Sequence, residues 1–88
     1  MTQVIASIKI FPEDIVIGID QIKAEIVTSL PTNIQIYRFD EEPIAFGLVA
    51  LIAHIIIPES EGQLERVENI LKKVKGVSQI EVFMVRRI

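Results

Sequence analysis

The sequence predicts an α+β fold in which a four-stranded antiparallel sheet carries two helices on one face. The first observation is periodicity: stretches with an apolar residue at every second position alternate with stretches at helical spacing, in the order βαββαβ. The second is length, because 88 residues hold one core and no second domain. The third is composition, since 50% of the residues are hydrophobic and 24% are charged, as in well-packed domains. Two split βαβ units over residues 1–88 predict a single ferredoxin-like sandwich.

The first strand is predicted over residues 3–10, where apolar side chains alternate with the others and give one buried face. Phe11 and Pro12 are predicted to end it. A helical stripe follows and stops at Pro31, because proline cannot continue a helix and keeps the preceding residue extended. The stripe consists of Ile19, Ile22, Ile26 and Leu30.

The start of this first helix has two interpretations. In the first, Glu13 and Asp14 supply caps for a helix that begins near Ile15. In the second, residues 15–18 form an extended linker, and Asp20 is a later cap.

The second and third strands are predicted to pair through a short turn. The second runs from Ile34 to about Asp40 and is rich in β-formers, although its alternation is imperfect. The third, residues 48–57, is apolar on both faces, so either both faces are covered or one is covered by a partner. This places the third strand centrally in the sheet.

The second helix and the fourth strand complete the order. Ser60 is a candidate N-cap, and Gly76 is the predicted C-terminal cap behind the lysines of the last turn. The apolar stripe of this helix is Leu64, Val67, Leu71 and Val74. Residues 77–85 then alternate, with Ile80, Val82 and Met84 on one face.

Charge and composition exclude several classes of protein. The net charge of −3 argues against general nucleic-acid binding, because phosphate neutralisation needs a basic surface. The absence of cysteine excludes disulfides and thiolate metal sites. The longest nearly apolar run, residues 44–57, is shorter than the roughly 20 residues of a membrane-spanning helix. The first residues lack the pattern of a signal peptide, so the prediction is a cytoplasmic protein without membrane contact.

The polar residues predict no catalytic, cofactor or metal site. His54 is the single histidine and lacks a metal partner or a nucleophile at readable spacing, so it is interpreted as a sheet-face residue with a satisfied ring. Asp40, Glu41 and Glu42 could suggest paired carboxylates, but three adjacent acids without further ligands indicate a solvated turn.

Two segments are candidates for partner contact. Phe46 lies between alanine and glycine in a turn marked by Pro43, and fits either a core residue or a docking anchor. The basic end, residues 86–88, fits either a frayed terminus or a cation that inserts into an anionic pocket of a partner. In the predicted topology these segments lie at opposite ends of the sheet, roughly 25 to 35 Å apart.

The segments EEPIAFGLVALIAHIIIP and IEVFMVRRI resemble archaeal elongation factor one-beta, a family of guanine-nucleotide exchange factors. The resemblance covers nearly the whole chain, and PIAFG entering a long apolar strand is its most specific signal. It implies a ferredoxin-like exchange factor that needs no cofactor and no bond chemistry of its own. The implied partner is the GTPase elongation factor one-alpha, in its GDP-bound and nucleotide-free states, without direct nucleic-acid contact.

The resemblance also implies which residues contact the GTPase. In the family, the aromatic residue that matches Phe46 engages the second domain of the GTPase, and the end that matches residues 86–88 reaches its nucleotide domain near the magnesium site. Eukaryotic relatives carry a lysine where Arg87 stands. The guanidinium of arginine is wider and planar but is also always charged, so the resemblance implies that Arg87 competes by its charge near the magnesium site. The implied partner-binding residues are Pro43, Ala45, Phe46, Gly47, Arg86, Arg87 and Ile88.

Two other functions remain open from the residues alone. The doubly apolar third strand also fits a dimerising or small-ligand-binding regulatory module of the same fold. RNA recognition by the open sheet face would require aromatic and basic side chains on that face.

Overall fold

A computed structural model describes residues 2–13 and 17–88, and within them it shows the predicted ferredoxin-like order. The strands are β1 (Gln3–Pro12), β2 (Gln35–Pro43), β3 (Val49–Pro58) and β4 (Val77–Arg87). The helices are α1 (Ile19–Ser29) and α2 (Gln63–Lys72), and a single 3-10 turn, Ala45–Gly47, joins β2 to β3. The strands form one antiparallel sheet in the order β2-β3-β1-β4. The fold prediction is therefore confirmed, including the central position of β3.

The core lies between one face of the sheet and the two helices. It contains the alternating residues of β1 and β3 and the inner stripes of α1 and α2, and burial of each large apolar side chain contributes about 1.5–3 kcal/mol. Its fully or nearly buried members include Ile8, Ile10, Ile22, Ile26, Leu51, Ile55, Ile57, Val67 and Leu71. β1 is nevertheless buried on both faces, because Ile5 and Ser7 on its outer face are only 6% and 4% exposed. The prediction of one buried face on β1 was wrong for these two residues.

Two β-bulges interrupt the alternation of the edge strands. In β2, Ile36 pairs with Ile55 and Arg38 with His54, so Tyr37 is an extra residue opposite β3. A bulge places two residues opposite one and shifts the following side chains to the other face. This explains the imperfect alternation of β2.

The bulge in β4 reverses a predicted face. Ser7 pairs with Met84 and Ile8 with Val82, so Phe83 is the extra residue. Met84 therefore lies on the open face of the sheet and Val85 on the helix side. Regular alternation along the sequence predicts the opposite face for each of them. The prediction that Met84 shares a face with Ile80 and Val82 was wrong.

Several predicted boundaries differ from the structure. β1 extends beyond the predicted residues 3–10 and includes Phe11 and Pro12, and Pro12 pairs with Val77 beside a register shift. Proline is tolerated there because the irregular end of a strand needs no ladder hydrogen bond from it. β2 continues past Asp40 to Pro43, and β4 past Val85 to Arg87.

The helix caps also differ from the prediction. α1 begins at Ile19, and Gly18, not Asp20, holds the cap position. The cap at Asp14 and the start at Ile15 lie outside the described residues. At the other end, Leu30 is extended ahead of the proline, as predicted, and its N–H donates to the Ile26 carbonyl oxygen at 3.2 Å.

The caps of α2 are backbone caps. Gly62 with φ 83° precedes the helix, so the Ser60 prediction was wrong, and Lys73 follows it. Gly76 lies beyond the helix, with φ 94° in the turn into β4, and is not its C-terminal cap. Within the described residues no helix has the length and hydropathy that crossing a membrane requires.

Candidate partner-binding surfaces

Residues 43–47 form a tip that connects β2 to β3. Pro43 pairs with Val49 as the last rung of the sheet, and beyond it the Ile44 N–H donates to the Leu48 carbonyl oxygen at 2.9 Å. The Leu48 N–H donates to the Ala45 carbonyl oxygen at 3.2 Å, which closes the 3-10 turn. Two backbone hydrogen bonds thus hold a turn whose side chains at positions 43, 45 and 46 are exposed.

Phe46 is the most exposed large apolar side chain at this tip, with 97% of its surface accessible. Its backbone has φ 60° and ψ 35°, the left-handed region, and it is the one non-glycine residue of the described chain with positive φ. A bulky L-residue in this region is strained and is kept there only by its surroundings. The core alternative for Phe46 was therefore wrong, because the turn directs its ring into solvent.

The acidic residues before the tip do not form a turn. Asp40, Glu41 and Glu42 belong to β2 and pair with residues 52, 51 and 50 of β3. Their carboxylates take part in ion pairs: Glu41 with Lys23 at 3.1 Å, and Glu42 with Lys9 at 2.8 Å. The hydrogen bond to Glu42 raises the pKa of Lys9 above its ordinary value. The prediction of a turn was wrong, because these residues extend β2, and their carboxylates stay partly exposed while they pair with cations from other elements.

Asp40 and His54 belong to a hydrogen-bonded chain across the open face of the sheet. His54 Nε2 lies 2.9 Å from Asp40 Oδ2, and His54 Nδ1 lies 2.8 Å from the Ser7 hydroxyl. The hydrogen bond from His54, helped by Arg38, holds the pKa of Asp40 below its ordinary value. A carboxylate only accepts, so Nε2 donates to Asp40, which leaves the second ring nitrogen, Nδ1, to pair with the Ser7 hydroxyl. The prediction of a satisfied sheet-face histidine is confirmed.

This chain of serine, histidine and aspartate does not have the setting of a nucleophile. Ser7 lies in mid-strand, is only 4% exposed, and has β3 and β4 paired on either side. Across residues 2–13 and 17–88 there is also no cluster of three or more potential metal ligands. The polar chain stabilises the sheet by joining three strands.

The basic end is ordered by the sheet. Arg86 pairs with Ile5 and Arg87 with Val4, and both belong to β4. Arg87 Nε donates to both carboxylate oxygens of Glu59, at 3.0 and 2.8 Å. The interpretation as a frayed terminus was therefore wrong, because strand pairing and this ion pair hold Arg87 in place.

The tip and the basic end lie at opposite ends of the molecule. Val49 of β3 is next to the tip, whereas Ile57, eight residues further along the same strand, neighbours Val4 and through it Arg87. A strand advances about 3.3 Å per residue, so eight residues separate the two ends by about 26 Å. The longest dimension of the molecule is 42 Å. A partner that touches both ends must be larger than this domain.

The open face of the sheet carries a shallow depression of about 360 Å³. Ser7 and His54 lie at its floor, and it is bordered by the two bulge residues, Tyr37 and Phe83. Regular alternation already places Tyr37 and Phe83 on the open face. The bulges add Arg38 and Met84, which the alternation assigns to the helix side, so the depression could not be predicted from the sequence. Arg38 and Arg86 also line this depression.

Fold and surfaces together define a class: a ferredoxin-like domain whose candidate contacts are exposed side chains at the two ends of its sheet. Comparison with known families identifies this class further. Residues 5–88 match the model of the EF-1 guanine nucleotide exchange domain. The chain therefore belongs to that family, and it is a guanine-nucleotide exchange factor of translation elongation.

Archaeal relatives match over the whole chain. Proteins named elongation factor 1-beta from Staphylothermus marinus, Desulfurococcus amylolyticus and Methanothermobacter thermautotrophicus are 46%, 44% and 42% identical to it. Each alignment covers 100% of this chain and 99% of the relative. The resemblance to archaeal elongation factor one-beta is confirmed.

Proposed function

We propose that this protein accelerates the release of GDP from elongation factor one-alpha and its reloading with GTP, in the cytoplasm. The observation that carries the proposal is the pairing of an exposed, conformationally constrained Phe46 at one end of the sheet with an anchored Arg87 at the other. Family membership supplies the reaction, and these two ends supply the contacts. The partner-binding set is Pro43, Ala45, Phe46, Gly47, Arg86, Arg87 and Ile88.

The tip is suited to be the binding anchor. A fully exposed aromatic ring loses its whole water contact when a partner pocket encloses it, and aromatic residues are prominent among binding hot spots. The positive φ of Phe46 and the two backbone hydrogen bonds of the turn fix the backbone and the direction of the Cα–Cβ bond before binding. Because less conformational freedom is then lost on association, more of the burial energy appears as affinity.

The basic end is suited to act on the nucleotide domain of the GTPase. Arg87 brings a permanent positive charge about 26 Å from the tip, and a cation near bound magnesium repels it and competes with it for the surrounding anionic groups. Arg86 adds a second positive charge on the open face, next in sequence. The end of the sheet thus opposes retention of GDP while the tip holds the complex together.

Exchange follows from negative coupling between the factor and GDP. The factor binds the nucleotide-free GTPase more tightly than the GDP-bound form, and by linkage GDP loses affinity by the same ratio. A coupling free energy of about 3 kcal/mol corresponds to roughly 150-fold. The proposed action therefore uses binding energy alone, with no bond made or broken by this chain and no direct nucleic-acid contact.

The test is the release of fluorescent GDP from elongation factor one-alpha. We expect the release rate to rise and saturate with the concentration of this protein, and the Arg87→Ala variant to lower the plateau while it remains folded. No acceleration at saturating concentration would reject the proposed function. The matched control is Lys72→Ala, which removes one exposed cation from the last turn of α2, outside the partner-binding set, and should leave the rate unchanged.

The alternative of a dimerising or ligand-binding module makes a different prediction. Ile52 and Ile56 lie half-buried on the open face of β3, which the helices do not cover. In sedimentation, a regulatory module of this kind would form a stable dimer and show no affinity for the GTPase. An exchange factor instead sediments together with the nucleotide-free GTPase.

A further inference from the structure

Arg87 is held by Glu59 in a way that leaves part of its guanidinium available. Both hydrogen bonds to the carboxylate come from Nε, at 3.0 and 2.8 Å. An arginine carries four more N–H donors on its two terminal nitrogens. Among residues 2–13 and 17–88, none accepts a hydrogen bond from those terminal nitrogens, and the Arg87 side chain is 74% exposed.

The backbone on both sides of this ion pair is fixed to the start of β1. The Glu59 N–H donates to the Thr2 carbonyl oxygen at 2.9 Å, and the Ile88 N–H donates to the Gln3 carbonyl oxygen at 3.1 Å. Arg87 itself pairs with the next residue of β1. Three successive residues, Thr2 just before β1 and Gln3 and Val4 within it, thus hold the backbone on both sides of the ion pair.

This geometry distinguishes a positioning contact from a latch. A latch would bind the terminal nitrogens and would have to break before Arg87 could contact another anion. Here Glu59 engages only the inner nitrogen, so the outer edge of the guanidinium can donate two parallel hydrogen bonds while the ion pair persists. The carboxylate is 32% exposed and closer to the protein, and the guanidinium extends beyond it.

We propose that Glu59 is a positioning residue for exchange, which presents the terminal nitrogens of Arg87 to an anionic group of the GTPase complex. The inference rests on the proposed function. The anion is a carboxylate of the GTPase, which accepts the two-pronged hydrogen bonding of arginine. A contact to a phosphate of bound GDP would instead stabilise the GDP-bound complex and oppose exchange.

The first experiment measures fluorescent GDP release with Glu59→Ala across factor concentrations. A free arginine side chain must be ordered in the complex, and this cost corresponds to a loss of about 2- to 12-fold in the maximal exchange rate. Glu59→Gln, which keeps one acceptor oxygen, should recover part of the loss. Glu61→Ala removes the same charge from the same loop and should remain at the wild-type rate.

A double-mutant comparison assigns the effect to Arg87. In the Arg87→Ala background, the Glu59→Ala change should have no further effect, because there is no guanidinium left to position. An equal loss in both backgrounds would overturn the inference, since Glu59 would then act on something else. A higher maximal rate in Glu59→Ala would also overturn it, because the ion pair would then be a latch.

Two binding measurements test the identity of the anion. A lower maximal rate requires a contact that is stronger in the nucleotide-free complex, because linkage ties exchange to the difference in affinity between the two forms. If the anion is a GTPase carboxylate, Glu59→Ala therefore weakens binding to the nucleotide-free form more than binding to the GDP-bound form. A larger loss of affinity for the GDP-bound form would assign the contact to a nucleotide phosphate and overturn the proposal, as would wild-type affinity for both forms.

A measurement on the free protein separates this inference from the proposed function. The Nε–H of Arg87 should give a slowly exchanging signal in nitrogen-edited NMR, and Glu59→Ala should abolish it. If the wild type and Glu59→Ala accelerate exchange to the same extent, the positioning role of Glu59 is wrong and the proposed function stands. If the wild type does not accelerate exchange, the proposed function fails, and the NMR signal still decides whether Glu59 orders Arg87.

Discussion

Replacing Phe46 should separate its contribution to stability from its contribution to binding. The residue has φ 60° and ψ 35°, a conformation that costs an L-residue about 1–2 kcal/mol relative to right-handed backbone. Phe46→Gly removes this strain but adds about 0.5–1 kcal/mol of chain entropy to the unfolded state. The net change in the free energy of unfolding should lie between about 0 and 1.5 kcal/mol in the stabilising direction. Phe46→Ala keeps most of the strain and should leave the stability near that of the wild type, because the ring is 97% exposed.

Exchange should respond in the opposite way. Both substitutions remove the ring, whose full burial in a partner is worth about 1.5–3 kcal/mol. The concentration of factor that gives half-maximal GDP release should therefore rise by roughly 10- to 150-fold in both variants. The glycine variant would then be at least as stable as the wild type and yet defective in exchange.

Urea denaturation and fluorescent GDP release measure the two effects on the same preparations. Phe83→Ala is the matched control, because it removes a partly exposed phenylalanine from the open face and leaves the tip intact. If Phe46→Gly lowers the free energy of unfolding by more than about 1 kcal/mol, the backbone strain at Phe46 is absent. If Phe46→Ala leaves the factor concentration for half-maximal GDP release unchanged, the ring has no role in binding.

Three further predictions concern the fold. Asp40 has a lowered pKa, so its hydrogen bond stabilises the protein above the ordinary pKa of 3.8, and this stabilisation is lost as the pH falls below that value. In urea denaturation between pH 2.5 and 7, Asp40→Asn should therefore reduce the fall in the free energy of unfolding at low pH. A pH dependence equal to that of the wild type would contradict this prediction. Leu71→Ala should cost about 2–5 kcal/mol in urea denaturation because the side chain is fully buried, and a loss below 1 kcal/mol would show that the core relaxes into the space. Gly76→Ala should lower the free energy of unfolding by about 1–3 kcal/mol, because φ is 94° and an added Cβ would lie 3.1 Å from the Ile17 side chain. A thermal stability equal to that of the wild type would show that this position is not strained.

The periodic parts of the chain could be predicted because their information is local. Apolar side chains at every second residue of β1 and at helical spacing in α2 reflect which face of each element is buried. Turn residues such as Pro31 marked an element boundary through their own backbone restrictions. The order βαββαβ, the central position of β3 and the separation of the tip from the basic end all followed from these local signals and from chain connectivity.

Other features depended on contacts between distant parts of the chain. The bulges at Tyr37 and Phe83 are decided by strand pairing, and a one-residue insertion in the register moves the residues that follow it to the other face. The cations that pair with Glu41 and Glu42 come from other elements, so the acids resembled a solvated turn. Burial of Ser7 similarly required the strands on both sides of it.

The sequence by itself determined the fold class, the core-facing stripes of the two helices and, through its resemblance, the family. Only the tertiary structure decided how the two candidate ends are held. Phe46 is exposed because a closed turn forces its backbone into the left-handed region, and Arg87 is anchored because Glu59, 28 residues earlier, is fixed to the same strand. The physical reason is that periodicity reports local burial, whereas backbone strain and ion pairing depend on the register of segments that are far apart in sequence.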